Sequence, residues 1–144
     1  MTEQEQRQLV LAEAISWLGT KFHENACIKN VGTDCGRFLC ACYSAGGILV
    51  PDLKDIALFP HGWHLNKSDE RYFNLISQFT KITLNPQPAD IVMYKIGRGY
   101  AHSGIIVNYP TIIHAAPPCV CQVNADQLPR INKHQKIFLT PWGI

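Results

Sequence analysis

The hydrophobic period of this chain changes once, at Pro86 and Pro88, and that change limits the folds open to it. After the two prolines, five short segments rich in Ile and Val follow one another: Asp90 to Ile96, Gly104 to Asn108, Thr111 to Ala115, Val120 to Val123 and Lys136 to Leu139. Gly, Pro or Asn separates them, which is the pattern of strands joined by tight turns. They read as antiparallel strands following one another in sequence. Before the prolines the apolar residues recur at helical spacing instead. Helices first and strands afterwards predict an α+β domain, with a helical half packed on an antiparallel sheet. A chain of 144 residues falls within the size of one domain, so residues 1–144 are read as a single unit with its function in one cleft.

Within the helical half, Thr2 followed by Glu5 forms a capping box, and Leu11, Ala14, Ile15 and Leu18 repeat at helical spacing until Gly19. The first helix is expected over about 3–18. Residues 20–33 show no period and read as a loop that delivers the chain to Asp34 and Cys35. A second helix is expected over about 35–45, with Phe38, Leu39, Cys42 and Tyr43 on its apolar face and Gly46-Gly47 ending it. Residues 48–67 read as a long surface connection that includes the cluster His61, Trp63 and His64, a candidate cleft wall or loop cap. Ser68 then caps a third helix that carries Tyr72, Phe73, Ile76 and Phe79.

Several function classes are disfavoured by composition. Net charge is +2 with Lys and Arg scattered, so no nucleic-acid footprint is visible. The opening MTEQEQRQ is polar and acidic where a secretory signal would be basic and then apolar, and no run of about 18 apolar residues occurs. Synthesis in the cytoplasm without a signal peptide, and no membrane insertion, are therefore expected. The six cysteines are taken as reduced. Cys40-Ala41-Cys42 and Cys119-Val120-Cys121 lack the two-residue gap of a zinc knuckle, so packing explains them better than a metal does. Cys40 and Cys42 would point to different faces of a helix, Cys119 and Cys121 to one face of a strand.

Three residues carry candidate chemistry. Cys35, between Asp34 and Gly36, falls in the first turn of the second helix, where unpaired N–H groups and the helix dipole favour a thiolate. Gly36 leaves one side of the sulfur unobstructed. A buried packing cysteine is the competing reading of this motif alone. His102, expected at the mouth of an apolar strand, suits a general base near neutral pH. If residues 104–108 and 111–115 pair as a hairpin, His114 lies near the level of 103 or slightly before it and can orient the His102 ring. Taken singly, each histidine also fits an ordinary surface or core imidazole.

Five segments in register give the chain a wider resemblance. Trp17-Leu18-Gly19-Thr20, Val31-Gly32-Thr33-Asp34-Cys35, Ala89-Asp90-Ile91-Val92-Met93-Tyr94, Ala101-His102-Ser103-Gly104-Ile105 and Ile113-His114-Ala115 follow the order and spacing of the NlpC family of cell-wall cysteine peptidases. The resemblance covers nearly the whole chain. The loop Phe22-His23-Glu24-Asn25-Ala26 leading to Cys35 is most similar to the subgroup found among phage and prophage tail genes.

The resemblance implies a papain-like fold, with Cys35 as nucleophile, His102 as base and His114 as the residue orienting it. It implies hydrolysis, through a thioester, of amide bonds in peptidoglycan stem peptides, typically between D-glutamate and the diamino acid. No metal or organic cofactor is required. Phage tail proteins become candidate partners, and assembly into a tail or release onto the cell wall becomes the expected destination. Asp34, Gly36, Phe22 and His23 are the candidate substrate-binding residues. Phe22 stands where the family usually has a tyrosine that helps bind the substrate carbonyl, so His23 or Tyr100 is expected to supply the second oxyanion donor. Gly36-Arg37 stands where many members have serine after the nucleophile. Other acyl transfer or deamidation on the same scaffold, and a catalytically decayed tail component, are the alternative functions.

Overall fold

The computed structural model describes residues 1–52 and 71–143. Helix α1 spans Glu3–Ser16, and Thr2 caps it by accepting a hydrogen bond from the Glu5 N–H at 3.1 Å. Gly19, at φ +88°, supplies the left-handed turn that takes the chain away from it. The face turned to the core differs from the expected one. Arg7, Val10, Ala14 and Trp17 are buried, while Ile15 is 54% and Leu18 38% exposed. Large tertiary partners decide this rotation. The Trp17 ring packs edge-on against Phe38, and Arg7 reaches Asp90 at 3.0 Å and the Pro88 carbonyl at 2.7 Å while lying over the Trp142 ring. A buried indole and a buried ion pair outweigh two smaller aliphatic contacts.

Helix α2 spans Cys35–Ala45, as the sequence predicts. It is buried on nearly every side, from Gly36 to Cys40 and again at Cys42 and Tyr43, because α1 covers one face and the sheet the other. Cys40 and Cys42 are thus both core residues despite pointing apart. A two-stranded ribbon, β1 (Cys27–Ile28) with β2 (Gly32–Thr33), organises the loop before α2. Helix α3, Arg71–Ser77, packs on the sheet. The expected cap Ser68 and the cluster His61, Trp63 and His64 lie outside the described residues.

The remaining elements form one antiparallel sheet of six strands: β3 (Lys81–Ile82), β4 (Ile91–Ile96), β5 (Gly99–Asn108), β6 (Thr111–Ala116), β7 (Cys119–Asn124) and β8 (Lys136–Thr140). Their order is β3-β8-β4-β5-β6-β7. Side-chain alternation splits the core in two. Ile91, Met93, Ile105 and Ile113 face the helices. Val92, Tyr94, Ile106 and Ile112 face the other way, under a 3₁₀ turn at Ala125–Gln127 and the short helix α4, Pro129–Asn132. The sheet is therefore covered on both faces. No helix among the described residues is long and apolar enough to cross a membrane.

Candidate active site

Asp34 builds the start of α2. Its Oδ1 accepts the Arg37 N–H at 2.9 Å, and its Oδ2 accepts the Asn25 N–H at 2.8 Å and Arg37 Nη1 at 2.9 Å. The carboxylate caps the helix and fastens the loop to it, and Asp34, though buried, also lines the cavity beside Cys35. Arg37 is buried and turns inward to Asp34.

Cys35 follows as the first residue of the helix and lines a cavity of about 180 Å³ together with Phe22, Asn25, Gly36, Tyr72 and His102. Phe22 is placed there by the loop, whose backbone bonds Pro118 and Thr33. His23 does not line the cavity. It is exposed, with Nδ1 turned to the Glu24 carbonyl at 2.9 Å. Tyr100 is likewise outside, its ring packed on Phe73. Neither side chain expected to replace the missing phenol is presented to Cys35.

The described residue that is presented is Tyr72, which the sequence expectations assigned only to an apolar helix face. Its hydroxyl is fully buried and bonds Ser103 Oγ, and it also hydrogen-bonds Cys35. The ring lies against Gly36, where a Cβ would come within 2.9 Å of Tyr72 Cε1. Gly36 thus makes room for Tyr72. A signal was present: a tyrosine among Phe and Ile on a core-facing helix needs a partner for its oxygen, and a glycine after the nucleophile leaves space for one.

His102 lies inside β5 and not at its mouth, because the strand begins at Gly99. Pairing runs Tyr94 with His102 and then Lys95 with Tyr100, so Ala101 is an extra residue in a bulge. Bulges re-aim neighbouring groups. Here the Ala101 carbonyl accepts from Cys35 Sγ at 3.9 Å, and His102 enters the cavity with its ring stacked on Tyr94.

The pairing of Ile105 with Ile113 and of Ile106 with Ile112 brings His114 level with Gly104, one residue beyond the expected level and on the same sheet face as His102. A Cβ on Gly104 would stand 3.3 Å from that of His114, so glycine permits the close approach. His102 Nε2 and His114 Nδ1 are 2.8 Å apart.

Burial pushes the Cys35 thiol up to about 12, with the Asp34 carboxylate adding to the rise. The Tyr72 hydroxyl and the N–H groups of Cys35 and Gly36 act in the opposite, expected sense, but desolvation outweighs them. Burial thus opposes, and outweighs, the thiolate-favouring effect of the helix start. Burial, aided by the positive charge of Arg130, lowers His114 to about 4 and keeps it neutral at physiological pH. Burial and the neighbouring Cys35 raise Tyr72 well above its usual range, so it keeps its proton as a donor.

Cys119 and Cys121 stand side by side on β7 with sulfurs 3.4 Å apart. Among the described residues no group of three or more His, Cys, Asp or Glu side chains could hold a metal.

No protein-family model and no curated protein sequence matches the chain. Solved structures do. RipD of Mycobacterium tuberculosis, described as a non-catalytic NlpC/p60 domain protein adapted to peptidoglycan binding, has a TM-score of 0.65 at 13% identity, over 95% of this chain and 98% of that one. The NlpC/p60 domain of the peptidoglycan hydrolase SagA gives 0.58 at 16% identity, over 93% and 97%. A lipoprotein-like NLP/P60 family protein of Staphylococcus aureus gives 0.64 at 16% identity, over 94% of this chain but only 42% of its own. With helices on an antiparallel sheet and Cys35 at a helix start, the chain has the papain-like fold of NlpC/p60 domains.

Proposed function

We propose that residues 1–144 form one NlpC-type cysteine peptidase domain that hydrolyses amide bonds in bacterial peptidoglycan stem peptides, between D-glutamate and the diamino acid. The observation that carries this reading is the 2.8 Å bond between His102 Nε2 and His114 Nδ1 beside the cavity that holds Cys35. A neutral His114 accepts at Nδ1, which requires the proton of that bond to sit on His102 Nε2. His102 Nδ1 then keeps its lone pair for the thiol proton. The arrangement fixes the tautomer a base needs.

In the proposed reaction the Cys35 sulfur attacks the amide carbonyl as His102 Nδ1 takes its proton. The oxygen of the tetrahedral adduct is met by N–H groups at the start of α2, with the Tyr72 hydroxyl beside them. His102 returns the proton to the departing amine, leaving a thioester on Cys35. Water, deprotonated by His102, releases the acid and restores the thiol. Formation of the imidazolium strengthens its bond to His114.

The fold also occurs in RipD, described as non-catalytic, so fold alone does not make a hydrolase. The intact set of Cys35, His102 and His114 favours catalysis here over a decayed tail component. The loop from Phe22 to Cys35 supports a phage or prophage tail protein, made in the cytoplasm and either assembled into a tail or released to reach the wall. Digestion of defined stem peptides with mass analysis of the products tests the reading. Release of a fragment with a new amino terminus on the diamino acid, absent with Cys35→Ser, is expected. Intact peptides after prolonged incubation would reject it.

A further inference from the structure

A second cavity, of about 330 Å³, opens on the far side of His102. It shares Ile96, His102, Ala116 and Pro117 with the first but lacks Cys35, and its other walls are His114, Leu128, Ile131 and Arg130. At roughly 30 Å³ per water it has room for on the order of ten waters, enough for an amino-acid side chain. His102 therefore stands between two spaces, one with the nucleophile and one with a guanidinium.

The order of bond breaking assigns these spaces to the two halves of a substrate. The acyl half stays on the Cys35 sulfur. The amine half receives its proton from His102 Nδ1 in the Cys35 cavity, and from there its side chain extends past the shared residues Ile96, Ala116 and Pro117 into the second cavity. Arg130 is the one cation among the described residues that line it. Arg130 forms no ion pair among the described residues, and its Nη2 donates to the Pro117 carbonyl at 3.2 Å. That bond holds the guanidinium against the shared wall while other N–H donors remain. Its backbone is also fixed, because Pro129 opens α4 and the buried Ile131 anchors it in the outer core. A held guanidinium with free donors matches a carboxylate in two-pronged geometry. The apolar side chains Ile96, Leu128 and Ile131 suit an aliphatic stem.

Resting on the proposed peptidase reading, we propose that this second cavity is a carboxylate-binding subsite in which Arg130 reads a free side-chain carboxylate on the amine-side residue of the scissile bond. The site thereby distinguishes a free acid from its carboxamide at that position. At the exposed Arg130 the amide forfeits the charge-assisted pair and leaves the guanidinium unmatched.

Two synthetic stem peptides, identical except that the amine-side residue carries a free carboxyl or a carboxamide, provide the test. With wild-type chain at pH 7.5 we expect kcat/KM about tenfold higher for the acid, expressed mainly in KM. In Arg130→Gln the acid-to-amide ratio should fall close to one, and in Arg130→Lys it should be intermediate, since a lysine offers charge without the fork. Calorimetric binding of both peptides to Cys35→Ser, alone and combined with Arg130→Gln, gives the same comparison without turnover. Equal affinity for the two peptides, a preference that survives Arg130→Gln, or an equal loss for both peptides would overturn the subsite. If wild type cleaves both peptides alike, only the subsite fails. If nothing is cleaved yet Cys35→Ser shows the Arg130-dependent preference, the subsite stands and the hydrolase reading fails.

Discussion

Replacing Tyr72 with phenylalanine removes one oxygen from a fully buried ring and leaves the packing on Gly36 intact. The lost group bonds both Cys35 and Ser103, and its bond to Cys35 favours the thiolate over the thiol. A hydrogen bond to a charged group contributes about 1.5–3 kcal/mol, so thiolate and oxyanion together should lose that much stabilisation. The expected consequence is a fall in kcat/KM of roughly 10- to 150-fold, carried by kcat. Because the pair lowers the thiol pKa, its removal must raise that pKa further, and iodoacetamide alkylation of Cys35 should need higher pH. Stopped-time assays on a stem peptide and an alkylation rate profile from pH 6 to 10 measure both effects. Phe22 lines the same cavity, so Phe22→Tyr should change little in the wild type yet recover part of the loss in the Tyr72→Phe background. Wild-type turnover together with an unshifted alkylation profile in Tyr72→Phe would refute the donor role.

Cys35→Ser should lose activity beyond tenfold while melting within a few degrees of wild type, because the atoms change little but the hydroxyl is a far weaker nucleophile at this pH; turnover above about a tenth of wild type would remove Cys35 from the mechanism. His114→Asn should retain more activity than His114→Ala, since an amide oxygen still accepts from His102 Nε2, and equal losses would remove the orienting role. His114 also links stability to pH: its folded pKa of about 4 lies below the usual 6.5, so its contribution is complete above about 6.5 and drains away as pH falls toward 4. The loss is about 3 kcal/mol at most in urea titrations, and His114→Asn should flatten that slope. Gly36→Ala forces a methyl group to within 2.9 Å of a buried ring, which should cost about 1–3 kcal/mol of stability and lower activity by moving Tyr72; unchanged melting would contradict the packing.

The architecture was legible because its signals are local. Thr2 with Glu5, Asp34 before Cys35, and the Ile and Val segments after Pro88 each announce their own element, and α2, β4, β6, β7 and β8 fall close to expectation. Errors arose where distant partners decide. Nothing near Arg7 in sequence says that Asp90 and Trp142 will draw it inward and turn α1 about its axis. The start of β5 was placed five residues late because Tyr100, Ala101 and His102 break apolar alternation, which is what a bulge at a cleft does. His102 and His114 were legible through hairpin register, an arithmetic property of the chain. Tyr72 and Arg130 were not, since each reaches the site from an element whose position depends on the whole sheet.

The same distinction applies to the electrostatics of Cys35. A helix start supplies N–H groups that lower a thiol pKa, and this local effect is readable from Asp34-Cys35-Gly36. Burial under Tyr72 and the sheet is not local, and it acts more strongly in the other direction. Asp34 adds negative charge, yet it cannot be spared, because both of its oxygens hold Arg37 and Asn25 and so fix the direction in which Cys35 points. In the proposed reaction this conflict is resolved by moving a proton rather than by storing a charge. Until a carbonyl arrives, burial keeps the proton on the sulfur. Transfer to His102 then creates thiolate and imidazolium together, and each stabilises the other in a space with little water. His114, held neutral by burial and by Arg130, remains an acceptor throughout that transfer. The depressed pKa of His114 thus suits the proposed mechanism: a histidine that took up a proton near pH 7 would face the imidazolium with a second positive charge.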